Sequence, residues 1–226
     1  EALKLNLEEI EKSKKIKSVI IRASGRAFCP GHDLKEMQEK RDLENDGGKA
    51  YFEKLLSKCT HVMKLIRELP QPVIAEVQGV AAAAGCQLVA TCDIAVASEE
   101  ASFGVNGVDI GLFCSTPMVA LSRNITRKKA FEMLTTGDFL DPFQAEKLGL
   151  INKVANSKDL GNCSIEIAEK IASKLSLAVK IGKKAFYKQA EMEIDHAYSY
   201  ASSVIVENLL FKETNQGMND FLNKKS

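Results

Sequence analysis

The sequence predicts an α/β fold whose second half is all-helical, and three observations carry that expectation. Short apolar runs bounded by polar residues, at 17–22, 73–77 and 93–97, have the length and composition of buried strands. Between the last two lie a glycine-marked turn and a short helix, so those strands need a crossover, which makes them parallel and the connection right-handed. From Thr116 onward the chain reads as mostly helical.

Taken in order, residues 1–15 read as the end of a charged amphipathic helix, followed by the strand KSVIIR at 17–22. The stretch 23–32, ASGRAFCPGH, carries two glycines and a proline and reads as a loop, with Asp33 placed to cap a short helix over 34–40. RDLENDGGK at 41–49 is polar and contains glycine, so a mobile surface loop is expected there. Apolar residues at Phe52, Leu55, Leu56, Cys59, Val62, Met63 and Ile66 predict a helix over 50–68, which the LPQP of 69–72 ends. A helix over 86–90 follows the alanine run at 81–84. Further helices are expected over 126–135, 141–148, 158–174, 177–191, 194–208 and 215–223. No repeat of fixed period is evident.

Composition excludes several functions. The 226 residues, 45% of them hydrophobic, can bury a full core. The 31 basic and 30 acidic side chains leave a formal charge of +1 without a basic stripe, so no nucleic-acid partner is expected. The six cysteines lack C-x-x-C spacing and the three histidines lack zinc-site spacing, so no metal is expected and the setting is read as reduced and intracellular. No apolar run approaches the ~20 residues of a membrane span. The first residue is Glu1, so an N-terminal strand pair or a leader preceding it is an expectation.

Two glycine turns, PGHD at 30–33 and AGCQ at 84–87, follow apolar segments and open helices, where the first N–H groups lack an internal partner. If the turns converge, two peptide N–H groups can bind one carbonyl oxygen and stabilise it as it becomes negative. The four alanines admit two readings, close helix-to-sheet packing or access of a ligand to the backbone. His32 likewise serves through its backbone alone or through its imidazole.

The chain is similar to the crotonase, or enoyl-CoA hydratase/isomerase, superfamily. The resemblance is carried by SGRAFCPGHDLKEM (24–37), PQPVIAEVQG (70–79), AAGCQLVATCDIAVA (83–97), ASFG (101–104), LTTG (134–137), AEKLGLINKV (145–154) and GMNDFLNKK (217–225). It covers nearly the whole chain in the family's order. DIGLFCSTP at 109–117 draws it toward the branch called enoyl-CoA hydratase domain-containing protein 3. The resemblance implies a spiral of ββα units over 1–135, lacking the family's first strands, and a helical trimerisation region over 136–226. It further implies a homotrimer or dimer of trimers, in the mitochondrial matrix or cytoplasm. Acyl-CoA is expected as substrate or ligand and no resident cofactor is expected.

Carried over residue by residue, the N–H groups of His32 and Ala84 would be the oxyanion donors. CoA would run along Cys29, Pro30, His32, Asp33 and Leu34, with Phe221 and Lys224 matching C-terminal positions that help hold it, often across a subunit boundary, Lys224 as a point charge for phosphate. The family's two hydratase glutamates match Gln87 and Gly107, neither of which can take a proton at neutral pH, and a third acid position, used by some isomerases, matches Ser115, which has no visible base beside it. Asp109 is the remaining candidate acid or base, against a plain loop or capping role. Asp33 reads as a cap, and Cys86 and Cys114 as core. Three expectations follow: an acyl-CoA binder with weak or absent hydratase activity; an enzyme running isomerisation, decarboxylation or thioester hydrolysis; and a non-catalytic scaffold.

Overall fold

The computed structural model describes residues 1–223 of the 226. The strands divide between two parallel sheets. The first takes β1 (Val19–Arg22), β3 (Val73–Val77), β5 (Ile94–Ser98) and β7 (Lys153–Ala155), in that spatial order; the second takes β2 (Ala27–Cys29), β4 (Val80–Ala82) and β6 (Ser102–Gly104). Successive strands therefore alternate between sheets, each pair followed by helix, which is the ββα turn that the resemblance implies. In-register pairs such as Val19 with Val73 and Ile74 with Ile94 fix the first sheet, and Val80 with Ser102 fixes the second.

β3 is buried at Val73, Ile74, Ala75 and Val77, as a strand covered on both faces must be. One face meets the core that contains Ile66, Val89, Phe103, Leu121 and Met133. The other meets α8 (Leu160–Ala172), where Val96, Ala155 and Leu160 form a smaller cluster.

Four strands go unread in the sequence. β2 (Ala-Phe-Cys), β4 (Val-Ala-Ala) and β6 (Ser-Phe-Gly) are three residues each, too short for a period of two to appear; β7 is equally short and sits between the helices expected over 141–148 and 158–174. The expected mobile loop at 41–49 is shorter than predicted. Helix α2 (Leu34–Leu43) continues through Arg41 and Asp42 and ends before Gly47 and Gly48, whose positive φ turns the chain into α3 (Lys49–Glu68). Asp46 Oδ1 and Oδ2 accept from the Gly48 and Ala50 N–H groups at that turn. Asp33 caps α2 as expected, accepting from the N–H groups of Lys35 and Glu36. Helix α4 runs Ala84–Thr91, beginning two residues earlier than expected.

The second half carries α5 (Pro117–Asn124), α6 (Arg127–Thr136), α7 (Pro142–Lys147), then α8, α9 (Ser176–Gln189), α10 (Ile194–Leu209) and α11 (Lys212–Asn223). A buried hub fastens α9 to the sheet layer: Lys183 Nζ donates to the carbonyls of Ile66 and Gln71 and to the Asp93 carboxylate, which also accepts from Tyr187.

Candidate functional site

The two glycine turns do converge. A methyl group built on Gly31 would lie 3.3 Å from the Ala83 Cβ, 3.4 Å from the Ala82 carbonyl oxygen and 3.8 Å from the Ala84 nitrogen. Gly31 holds φ +104, and its bare Cα lets the PGHD turn lie against the end of the alanine run. Gly85 makes the matching approach, because a Cβ there would sit 1.8 Å from the Cys29 carbonyl oxygen. The His32 peptide is thereby brought beside the first turn of α4.

The alanine run divides by burial. Ala81 and Ala82 are buried, whereas Ala83 and Ala84 are only half-buried. Ala83 has φ 48 and ψ −113, the sole positive φ outside glycine among the described residues. Such a conformation costs of order 1–3 kcal/mol and persists only where its surroundings enforce it. Here the Ala83 N–H donates to the Gly104 carbonyl, and its carbonyl accepts from Gln87 N–H as α4 begins. Among the described residues, neither the His32 nor the Ala84 N–H has an acceptor in the protein. Two partly accessible peptide donors at the mouth of a helix can hold one oxygen atom that carries, or acquires, negative charge.

None of the three positions matched to acids carries a carboxylate. Gln87 lies three residues into α4, 6% exposed, and its Oε1 has no donor. Gly107 is buried in the 3-10 helix Asn106–Ile110. A Cβ there would lie 2.2 Å from the Leu112 carbonyl oxygen and 3.0 Å from Cys114 Sγ. The chain folds back on itself at this point, with Leu112 N–H donating to the Gly107 carbonyl at 2.8 Å. No side chain fits at 107 without displacing that backbone. Ser115 is exposed, its hydroxyl turned to the Phe113 carbonyl.

Of the titratable groups, His32 is half-buried, and burial pushes its imidazole below the ordinary histidine value, so the ring is neutral at pH 7. Asp33 is engaged as the α2 cap. Asp109 is exposed and lies beside Gly137, the residue that ends α6: its Oδ1 lies 2.8 Å from where a Gly137 Cβ would be, and its Oδ2 accepts from Asn106 at 3.4 Å. Burial raises the Cys86 thiol to about 12, with the Cys114 thiol adding to the effect. Burial raises Cys114 too, opposed by the Gly107 N–H. Both thiols are buried core groups, and neither has a histidine partner.

Cys29 ends β2 and Pro30 leads into the turn, Leu34 stands exposed at the start of α2, and Gly31 between them lies beside Ala84. Phe221, expected to reach CoA across a subunit boundary, lies on α11. It lines a groove of about 1040 Å³ with Leu175, Ala178 and Met218. Lys224 lies outside the described residues. Among the described residues there is no cluster of three or more His, Cys, Asp or Glu side chains that could hold a metal ion, and no helix is long and apolar enough to cross a membrane. Sequence reasoning missed Ala83, because alanine carries no turn preference to announce a positive φ, and the Leu112 carbonyl, because a backbone fold-back leaves no residue-type signal.

Comparison with known proteins follows the same lines. The family model described as enoyl-CoA hydratase/isomerase matches residues 1–226. A rat protein, enoyl-CoA hydratase domain-containing protein 3, mitochondrial, is 46% identical over 219 residues, which cover 97% of this chain and 71% of the relative. The crystal structure of an enoyl-CoA hydratase from Mycobacterium smegmatis superposes with a TM-score of 0.94 at 46% identity, over 99% of this chain and 84% of that one. That of human enoyl-CoA hydratase domain-containing protein 3 does so with 0.93 at 43%, over 99% and 86%.

Proposed function

The chain belongs to the enoyl-CoA hydratase/isomerase family, and from that premise we propose that it binds acyl-CoA thioesters while hydrating them weakly or not at all. The thioester carbonyl oxygen is received by the His32 and Ala84 N–H groups, and the CoA portion lies along Cys29, Pro30, His32, Asp33 and Leu34. Hydration needs one group to activate water at the β carbon and another to deliver a proton to the α carbon. The observation that carries the reading is Gly107: its neighbourhood is filled by the Leu112 carbonyl, so the second proton carrier is absent and has no room. Gln87 stands at the first position as a neutral amide.

Steady-state hydration of crotonyl-CoA tests this. The expected turnover is far below ~10 per second, the middle of the usual enzyme range, alongside saturable binding in calorimetry. A turnover near that figure would overturn the reading. An enzyme of another reaction type would need a proton carrier, and Asp109, exposed beside Gly137, supports that alternative poorly. Should any acyl-CoA be converted, an unchanged rate in Asp109→Asn removes it from consideration.

Assembly as a homotrimer, or a dimer of trimers, is part of the same proposal. Ile194, Tyr198, Ile205 and Leu210 leave α10 and the residue after it with exposed apolar side chains. Sedimentation analysis at micromolar concentration reads the mass directly. We place the protein in the mitochondrial matrix or cytoplasm, in keeping with the mitochondrial designation of the rat relative.

A further inference from the structure

Helix α2 stands off the rest of the fold. Eight of its ten residues are exposed, and Met37 and Lys40 are half-buried. Among the described residues, neither apolar core takes in a residue between Pro30 and His61 or has one packed against it. Along its own length α2 is held by the Asp33 cap, by Gln38 Nε2 donating to Asp42 Oδ1 at 2.8 Å, and by the Lys40–Glu44 pair at 3.9 Å. Toward α3 it offers Glu36 to the Tyr51 hydroxyl and the Arg41 guanidinium to the Phe52 ring, 5.7 Å from its centroid. A helix this short that buries no side chain lies under the ~12–15 residues at which helices begin to hold in water by themselves.

This weakly held helix begins two residues after His32. The His32 peptide is constrained from both sides. Before it, Gly31 at φ +104 rests against Ala83 and the Ala84 nitrogen. After it, Asp33 at φ −71 and ψ 104 turns the chain into α2 and caps it. Melting α2 removes the second constraint and leaves the turn to Gly31, the residue type with the most backbone freedom to regain. The His32 N–H then loses its fixed direction. Ala84 keeps its own, because α4 buries six of its eight residues. The two donors thus rest on elements of unequal strength, and the pair is complete only while α2 is helical.

Resting on the acyl-CoA reading above, we infer that α2 folds and unfolds locally in the free protein and that a ligand oxygen held by both N–H groups draws it into the helix. Affinity is lowered by the fraction of molecules in which α2 is open. The coupling is reciprocal, so whatever favours the helix tightens the ligand by the same factor. Exposed positions of α2 that touch no ligand therefore set affinity through helix propensity alone.

Hydrogen exchange read by mass spectrometry on the full chain, free and saturated with butyryl-CoA, tests both halves. In the free protein the amides of 34–43 should exchange about a hundredfold faster than those of 84–91, and bound butyryl-CoA should slow them about tenfold. A second arm uses Glu39, which is exposed and whose side chain makes no hydrogen bond or ion pair among the described residues. Glu39→Pro breaks the helix interior and should weaken butyryl-CoA binding about tenfold or more in calorimetry, with the thermal midpoint unchanged. Glu39→Ala, which keeps the helix, should bind at least as tightly as the wild-type protein. Slow exchange of 34–43 in the free protein overturns the inference and leaves acyl-CoA binding standing; this readout depends on no variant. So does exchange that bound butyryl-CoA leaves unchanged. Undiminished binding by Glu39→Pro, a fall in its thermal midpoint, or a loss of affinity shared by Glu39→Ala overturns it as well. No binding of butyryl-CoA to the wild-type protein removes the acyl-CoA reading itself, and the inference with it.

Discussion

Lys183 Nζ lies 2.6 Å from Asp93 Oδ2, and this contact joins the helical second half of the chain to the edge of the strand that follows the candidate site. Asp93 stands one residue beyond Cys92, the C-cap of α4, and one before β5. Besides Lys183 it accepts from Tyr187 Oη and from the Val73 N–H, so α9, β3 and α4 share one carboxylate. Burial pushes the Lys183 ammonium below the ordinary lysine value and Asp93 opposes that shift. Lys183→Met leaves that carboxylate without its cation and two carbonyls without their donor. A loss of about 3–5 kcal/mol is expected in urea denaturation, and the double variant with Asp93→Asn should lose less than the sum of the single ones.

Ala83 is the place where a residue is held against its preference. Glycine adopts its φ of 48 without steric cost, at the expense of a looser unfolded chain. Ala83→Gly is accordingly expected to hold or raise stability, by up to about 1 kcal/mol. Ala82→Gly, in a strand and 8% exposed, should lower it by about 1 kcal/mol. Denaturation midpoints of the pair, measured side by side, check the contrast.

Gly107 should tolerate nothing larger. A Cβ 2.2 Å from the Leu112 carbonyl oxygen forces the fold-back apart, so Gly107→Ala is expected to cost roughly 1–3 kcal/mol and Gly107→Glu more. The consequence for chemistry is direct. Gln87→Glu combined with Gly107→Glu, which restores both carboxylates in sequence, should melt well below the wild-type protein in a thermal scan and fail to gain hydratase turnover.

The buried thiols set an alkaline limit. Burial raises Cys86 from 9.0 to about 12, and Cys92 rises for the same reason. Because the folded pKa is the higher, the stability linked to Cys86 is fully present below pH 9 and is lost as pH rises toward 12, where the unfolded chain has already released its proton. The slope approaches about 1.4 kcal/mol per pH unit for one such thiol. Lys183, whose pKa is lowered, contributes with the opposite sign below 10.5, so the comparison is made between the wild-type protein and Cys86→Ala. The variant should show a shallower decline in denaturation midpoint between pH 8.5 and 10.5.

What the sequence made legible followed from residue types that announce their geometry. Asp33 ahead of a short helix is a cap, and the structure has it capping. Gly31 and Gly85 mark close approaches, and each backbone does approach another there. What stayed hidden was carried by residues with no such signature. β4 is Val-Ala-Ala and β6 is Ser-Phe-Gly, and their pairing comes from the parallel partner beside them rather than from any pattern of their own. Ala83 takes its left-handed φ from Gly104 and Gln87, partners that hold it on either side. At 107 the sequence reported a missing carboxylate; only the course of residues 107–112 reveals that one could not be put back.

The alternation of strands between two parallel sheets also governs how the chain must come together. Among the described residues, no strand has its pairing partner next to it in sequence, so no hairpin can form early and serve as a template. β7 reaches β5 only after α5, α6 and α7 have intervened. Every rung waits on closure of a long loop, which places this chain among the slow folders and exposes unpaired edges of Val-Ile-Ala composition while it waits. A nascent copy is thus most vulnerable to its neighbours before residues 153–155 emerge, and the step that ends that interval is the arrival of the shortest class of strand in the fold.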